Sequence, residues 1–186
     1  ELYQKNILIL GFGRIGQAVA KRCLGFETNV FVYDPFISEK TILDKGCKMI
    51  SLEKGLQLAD YISIHLPLNE QTKNFISLSE LKKLKKNCIL VNTSRGGIIN
   101  EGDLYSVLKE KLIAGAGLDV FEEEPPHKNN PLFQLDNVLL TPHNAALSLE
   151  CRARMAKEAC ETAIFFLQNN NKLNLDNIIN LKNINF

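Results

Sequence analysis

The chain has 186 residues, of which 45% are hydrophobic and 23% charged, and its formal net charge is +1. This length can bury a core and suits one domain, or one and a fraction. The balanced charge gives no reason to expect nucleic acid or an acidic surface as a partner. Apolar runs fall short of the roughly 20 residues of a membrane helix, and the start lacks a signal-peptide pattern. The five cysteines form no metal-binding pattern, so we expect reduced thiols in a cytoplasmic protein.

Strand-like and helix-like segments alternate along the chain. The predicted strands are residues 7–10, 30–33, 47–50, 61–66, 88–92, 113–120 and 138–140. The predicted helices are residues 17–24, 38–45, 51–58, 79–86, 101–111 and 144–168. Six or seven strands separated by helices predict an α/β doubly wound parallel sheet, the Rossmann fold. We assign residues 1–168 to this domain and residues 169–186 to an Asn-rich tail.

The stretch from residue 7 to residue 16 reads ILILGFGRIG, an apolar run followed by three spaced glycines. This is the pattern of a dinucleotide site, although a chance glycine-rich turn would look the same. Gly11 permits a tight turn, Gly13 lets a pyrophosphate approach the backbone, and Gly16 lets the helix pack on the strand. Asp34 ends the next strand and favours a nucleotide, because it can accept hydrogen bonds from an adenosine ribose. Its charge would repel a 2′-phosphate, so we predict NAD rather than NADP.

Polar groups also follow three later strands. Arg95 stands beside two glycines, and its guanidinium matches a carboxylate through two hydrogen bonds, although it could instead pair with a structural acid. The acidic run 122–124 is by itself typical of a solvated loop. His143 stands at the predicted start of the long helix, where a structural role is common but proton exchange near neutral pH is also available. Because parallel strands end at one edge, we expect these groups to converge on one crevice.

Six motifs stand in order along the chain: GFGRIGQ at 11–17, VYDP at 32–35, HLPL at 65–68, NTSRGGIINEGDL at 92–104, AGAGLDVFEEEP at 114–125 and TPHNA at 141–145. Together they resemble the NAD-binding domain of the D-isomer-specific 2-hydroxyacid dehydrogenases, the family that includes D-3-phosphoglycerate dehydrogenase. The resemblance covers about residues 1–168. It implies an oxidoreductase with NAD as cofactor, a small 2-hydroxy or 2-keto acid as substrate, and a homodimer.

The resemblance also implies roles for single residues. Arg95 would bind the substrate carboxylate, His143 would be the acid/base, and Glu124 would hydrogen-bond His143. The cofactor-binding positions would be Gly11, Gly13, Arg14, Ile15, Gly16, Asp34, His65, Pro67, Thr93 and Asp119. Of these, Arg14 and Ile15 would lie at the phosphates, the turn 65–67 at the adenosine, and Thr93 and Asp119 near the nicotinamide. Glu122 and Glu123 are interpreted as solvated, and His65 and His127 as bystanders in the proton transfer.

Family members carry most of a substrate domain ahead of the segment that begins here. We therefore expect this chain to bind NAD(H) and to turn over slowly or not at all alone. The substrate stays open among phosphoglycerate, glycerate, hydroxypyruvate, glyoxylate and lactate. A different class of function also stays open, a binding module that senses NAD(H), because the family includes transcriptional corepressors with this fold.

Overall fold

The computed structural model describes residues 1–168, and within that range seven strands form one sheet. The strands are β1 (Asn6–Leu10), β2 (Asn29–Tyr33), β3 (Lys48–Met49), β4 (Tyr61–Ile64), β5 (Ile89–Asn92), β6 (Gly115–Leu118) and β7 (Val138–Leu140). The helices are α1 (Arg14–Gly25), α2 (Glu39–Leu43), α3 (Leu52–Leu58), α4 (Leu78–Leu81), α5 (Glu101–Lys109) and α6 (Leu149–Leu167), with a 3₁₀ helix at Pro131–Gln134.

All neighbouring strands are parallel, and their order across the sheet is β3-β2-β1-β4-β5-β6-β7. The chain leaves β1 toward one side to build β2 and β3, then returns to place β4 on the other side of β1. This order is that of a doubly wound Rossmann sheet with one strand added. The predicted fold class is therefore confirmed, and the crevice of such a sheet lies at the carboxyl ends of β1 and β4.

The central strand β1 is buried on both faces, as expected where helices cover both sides of parallel strands. Alternate residues of β1 point to opposite faces. Leu8 and Leu10 join the larger apolar cluster, which includes the inward side of α5, while Ile7 and Ile9 join a second cluster under α1. Residues 7–10 of β1 therefore form an unbroken apolar run in the sequence.

The helix predicted over residues 79–86 is wrong for most of its length, because α4 ends at Leu81. Its start is fixed by Ser77, whose side chain and backbone both interact with Glu80. Beyond α4 the chain turns so that Leu84 is buried and the Lys85 ammonium lies 2.9 Å from an Asp60 carboxylate oxygen. The amphipathic pattern of residues 79–86 therefore belongs to a short helix followed by a turn, and one of its lysines, Lys85, is paired with Asp60.

The helix predicted from Asn144 begins five residues later, at Leu149. Ser148 caps it, because its side chain accepts a hydrogen bond from the Cys151 backbone N–H at 3.1 Å. His143 has φ of 51°, in the left-handed region, and lies in a loop ahead of the helix rather than at its start. The chain divides into one compact unit over Glu1–His143 and a second that begins at Asn144, which contains α6. The predicted tail, 169–186, lies outside the described residues.

Over the described part of the chain, none of the helices combines the length and the apolar composition needed to cross a membrane.

Candidate active site

Each predicted site residue lies just after the carboxyl end of a strand or in the segment that follows. Gly11 follows β1, Asp34 follows β2, His65 follows β4, Thr93 and Arg95 follow β5, Asp119 and Glu124 follow β6, and His143 follows β7. Since all these strands are parallel, one edge of the sheet carries the whole set. This is the edge at which open α/β sheets bind their ligands.

The glycine turn packs closely against its surroundings at two of its three glycines. Gly11 has φ of +90°, and a Cβ there would lie 2.7 Å from the His65 carbonyl oxygen. A Cβ on Gly16 would lie 2.1 Å from the Gly11 carbonyl oxygen, so glycine is required for α1 to approach the turn. Gly13 differs, because apart from its two chain neighbours no residue in 1–168 has a heavy atom within 4 Å of where its Cβ would be.

The first turn of α1 is exposed at Arg14 and Ile15. Over residues 1–168 no side chain caps this helix, and its first turn contains no acidic residue. The backbone N–H groups of such a turn have no carbonyl partner within the helix, and the helix dipole makes the end positive. An anion would therefore be stabilised here.

Asp34 is buried and holds the glycine turn in place. One carboxylate oxygen accepts a hydrogen bond from the Phe12 N–H at 2.7 Å, and the other accepts from the Phe36 N–H at 2.9 Å. The first of these bonds ties the end of β2 to the loop after β1. Since a carboxylate has about four lone-pair directions, each oxygen can accept one more hydrogen bond.

The turn after β4 stands next to the glycine turn. The His65 N–H donates to the Leu10 carbonyl at 2.7 Å, and its ring Nε2 lies 2.8 Å from the Ser63 hydroxyl. Burial lowers the pKa of His65, so this imidazole is uncharged at neutral pH. The Pro67 carbonyl accepts a hydrogen bond from the Thr72 hydroxyl, which fixes the turn that follows.

The loop that carries Arg95 is closed by Asn92, a buried residue that sequence reasoning missed. Its side-chain N–H donates to the Arg95 carbonyl at 2.9 Å, and its side-chain oxygen accepts from the Ser94 N–H and hydroxyl. An Asn that ends an apolar strand two residues before Ser is a known signal for such a turn. The Arg95 side chain is exposed and donates to the Ser94 carbonyl, and in the described chain it has no carboxylate within 4 Å.

Glu124 and His143 are joined by a hydrogen bond of 2.7 Å between Oε2 and Nδ1. The hydrogen bond from His143 and a second from the Phe121 N–H lower the pKa of Glu124, against the opposing effects of burial and of the Asp119 charge. Glu124 is therefore ionised at neutral pH, and Nδ1 of His143 carries the donated proton. The contact expected between these two residues is present, while their catalytic roles stay a prediction.

Asp119 is buried, and one of its carboxylate oxygens accepts a hydrogen bond from the Thr141 hydroxyl at 2.6 Å. Its N–H donates to the Asn92 carbonyl. These bonds connect the ends of β5, β6 and β7. Thr141 was not predicted as a site residue, although it stands two residues before His143.

Glu122 is exposed, as the sequence interpretation expected, but it also makes hydrogen bonds that the interpretation did not include. Its carboxylate accepts a hydrogen bond from the Glu101 N–H at 2.8 Å, and the Glu101 carboxylate accepts one from the Glu122 N–H. No local pattern in the sequence indicates this pair, because its members are 21 residues apart. His127 lies in the same region, where its ring Nδ1 accepts a hydrogen bond from the Asn129 N–H.

Residues 1–145 match the family model for the D-isomer specific 2-hydroxyacid dehydrogenase, NAD binding domain. The chain belongs to this family. The resemblance on the six motifs is thereby confirmed, and the Rossmann sheet with its glycine turn is the NAD-binding domain of this family.

Individual relatives support the family assignment. The chain is 45% identical to glyoxylate reductase of Korarchaeum cryptofilum over 166 residues, which are 89% of this chain and 50% of that protein. It is 40% identical to D-3-phosphoglycerate dehydrogenase of Methanocaldococcus jannaschii over 185 residues, 99% of this chain and 34% of that protein. D-Lactate dehydrogenase of Aquifex aeolicus, solved with NAD and lactic acid, matches with a TM-score of 0.83 at 30% identity, covering 91% of this chain and 55% of that one. The chain thus spans about half the length of these relatives, or less.

Proposed function

We propose that this chain is the cofactor-binding half of an NAD-dependent oxidoreductase that interconverts small 2-keto acids and D-2-hydroxy acids. The observation that carries the proposal is the Glu124–His143 hydrogen bond at the same sheet edge as the glycine turn. An imidazole oriented by a carboxylate beside a nucleotide site is suited to exchange a proton with a substrate oxygen. The relatives named as glyoxylate, phosphoglycerate and lactate enzymes support this reaction class.

The pyrophosphate of NAD would lie at the N-terminus of α1. The free N–H groups near Arg14 and Ile15 would donate to it, and the absence of a side chain at Gly13 would let it approach. Asp34 would accept hydrogen bonds from the adenosine ribose with the lone pairs that its two backbone contacts leave over. Its negative charge would repel a 2′-phosphate, so NAD is the expected cofactor rather than NADP.

The rest of the cofactor would follow the same edge toward β6. The turn from His65 to Pro67 would line the adenosine. Thr93 and Asp119 would flank the nicotinamide, where Asp119 is held by Thr141 and could accept a hydrogen bond from the carboxamide. A bound nicotinamide supplies or takes up the hydride. The protein's own groups bind the substrate and move the proton.

Arg95 would bind the substrate carboxylate through two parallel hydrogen bonds. The Nδ1 atom of His143 faces Glu124, which leaves Nε2 for the substrate. During reduction Nε2 would give a proton to the carbonyl oxygen as the carbonyl carbon receives the hydride. During oxidation it would take that proton back from the hydroxyl. Glu124 fixes the tautomer and the orientation of the ring throughout.

We expect the 186-residue chain alone to bind NADH but to turn over slowly. It corresponds to about half the length of its dehydrogenase relatives. In a two-domain enzyme the closure of the cleft excludes water and orients the substrate. The family resemblance also leads us to expect a homodimer.

The test is NADH oxidation by the natural protein that contains this chain, with glyoxylate, hydroxypyruvate, pyruvate and phosphohydroxypyruvate as a panel. Turnover with one or more of them, reduced roughly 10²- to 10⁴-fold in the His143→Gln variant, is the expected result. NADH binding without turnover of any member, accompanied by an NADH-dependent change in protein partners, would instead support the sensing module. An unaltered kcat after the loss of His143 would refute the assigned mechanism.

A further inference from the structure

Two glutamates form a reciprocal pair of hydrogen bonds, which we call the carboxylate clasp. The Glu122 side chain accepts from the Glu101 N–H at 2.8 Å, while the Glu101 side chain accepts from the Glu122 N–H. The second oxygen of Glu101 also accepts from the Asn130 side chain at 3.0 Å. Hydrogen bonds from N–H groups to ionised carboxylates are roughly twice as strong as those between neutral groups.

The clasp joins the two loops to which the proposed function assigns Arg95 and Glu124. Glu101 begins α5, shortly after the loop of Arg95, and Glu122 stands two residues before Glu124. The same loops meet at a second point, because a Cβ on Gly96 would lie 1.7 Å from the Phe121 carbonyl oxygen. The two loops are therefore in direct backbone contact.

The clasp is not needed to start α5. The helix has its own cap, since the Asn100 side chain accepts from the Asp103 N–H at 2.9 Å. The carboxylate of Glu122 comes from a loop distant in sequence and satisfies one further N–H of the first turn. What the clasp adds is a fixed position for the loop that carries Glu124.

We propose that Glu101 and Glu122 are positioning residues that hold the loop of Glu124 so that its carboxylate reaches His143. This inference rests on the proposed function, in which that pair performs the proton transfer. Within the loop, Glu124 has one further anchor, the hydrogen bond that it accepts from the Phe121 N–H at 3.1 Å. Without the clasp, the start of the loop is still held by the buried Phe121 ring, which packs edge-on against Phe133, and by the Gly96 contact. The residues after Phe121 then keep only the Glu124 hydrogen bonds themselves, so we expect the 2.7 Å contact with His143 to weaken.

The experiment follows the Glu124 carboxyl by ¹³C NMR during a pH titration of the 186-residue chain. His143 is the main cause of the low pKa of Glu124, and Phe121 and Asp119 are the other groups that act on this carboxyl. We expect Glu122→Ala to raise the pKa of Glu124 toward its ordinary value. Removal of a nearby negative charge can by itself only lower that pKa. A rise therefore reports that Glu124 has lost hydrogen bonds, of which the one from His143 lowers its pKa most.

Two variants control for charge and for local packing. Glu123→Ala removes the neighbouring carboxylate, which makes no hydrogen bond in the described chain, and should not raise the pKa of Glu124. Glu122→Gln keeps a side-chain oxygen that can accept from Glu101 and should retain most of the wild-type value. Glu101→Ala removes the other half of the clasp and should act like Glu122→Ala, which provides a second variant if one of them fails to fold.

The proposal is overturned if folded Glu122→Ala and Glu101→Ala chains titrate Glu124 as the wild type does. It is also overturned if Glu123→Ala raises the pKa as much as they do. Failure of the proposed function is a separate outcome, in which NADH oxidation is absent with every 2-keto acid. In the active natural protein, Glu122→Ala should lower kcat several-fold and leave the affinity for NADH unchanged, whereas a general loss of stability would change both.

Discussion

A methyl group at Gly13 should weaken NADH binding while leaving the fold intact. The residue has φ of −71°, which every amino acid adopts. Apart from its two chain neighbours, no residue in 1–168 has a heavy atom within 4 Å of the added Cβ. The free energy of unfolding of Gly13→Ala should therefore stay within about 0.5 kcal/mol of the wild-type value. A pyrophosphate bound at the N-terminus of α1 would meet this methyl group directly.

The expected loss of affinity follows from the hydrogen bonds at that end of the helix. A phosphate pushed away from one backbone N–H loses a hydrogen bond to a charged group, about 1.5–3 kcal/mol. This corresponds to roughly a 10- to 150-fold increase in the Kd for NADH. Fluorescence titration of NADH into wild-type and variant chains measures the change, and thermal unfolding checks that the fold is unaffected.

Gly25→Ala is the matched control, because this glycine ends the same helix. Outside its chain neighbours and the nearby backbone of α1, no heavy atom in the described chain lies within 4 Å of its Cβ. This variant should bind NADH as the wild type does, with stability unchanged or raised by up to about 1 kcal/mol. Equal affinity of the Gly13→Ala and Gly25→Ala chains would refute the placement of the pyrophosphate. A loss of stability in Gly13→Ala would contradict the open space found at its Cβ.

Three further outcomes are expected. In the natural protein, His143→Gln should reduce kcat by roughly 10²- to 10⁴-fold with an unchanged Kd for NADH, and an unaltered kcat would exclude the residue as the acid/base. Burial raises the pKa of Asp60, but hydrogen bonds from the Asn6 N–H and from Lys85 outweigh this effect and lower the pKa below its ordinary value. Asp60→Asn should therefore lower the free energy of unfolding by about 1–3 kcal/mol near neutral pH. Urea unfolding measures this difference, which should shrink as the pH falls through the folded-state pKa of Asp60. Burial raises the pKa of Cys88 to about 12, so a thiol reagent should modify exposed Cys160 and spare Cys88 in the folded chain, as mass spectrometry would show.

Sequence reasoning was most successful where function depends on local pattern. The apolar runs of β1 and β5 are bounded by glycines or polar residues, so their carboxyl ends could be located within a residue or two. Given parallel strands, those ends meet at one edge whatever the loops do. The family resemblance predicts the contact between Glu124 and His143, whereas the spacing of the two residues in the sequence does not indicate it.

Features that depend on distant partners were not predicted. The Glu101–Glu122 clasp and the Asp119–Thr141 bond join residues more than twenty positions apart, and neither member of each pair carries a local signal. The start of α6 is different, because Ser148 is a recognisable cap. The predicted start of α6 at Asn144 is too early, because the helical periodicity of the sequence continues across the turn that follows His143, whose φ is in the left-handed region.

The central claim is that NAD(H) binds along the carboxyl edge of this sheet. Amide chemical shifts of the 186-residue chain, recorded as NADH is added, test it most directly. The account predicts changes at residues 11–16 and at the ends of β4, β5 and β6, with little effect at the opposite edge near Asp60. Changes confined to that opposite edge, or an absence of binding, would contradict it.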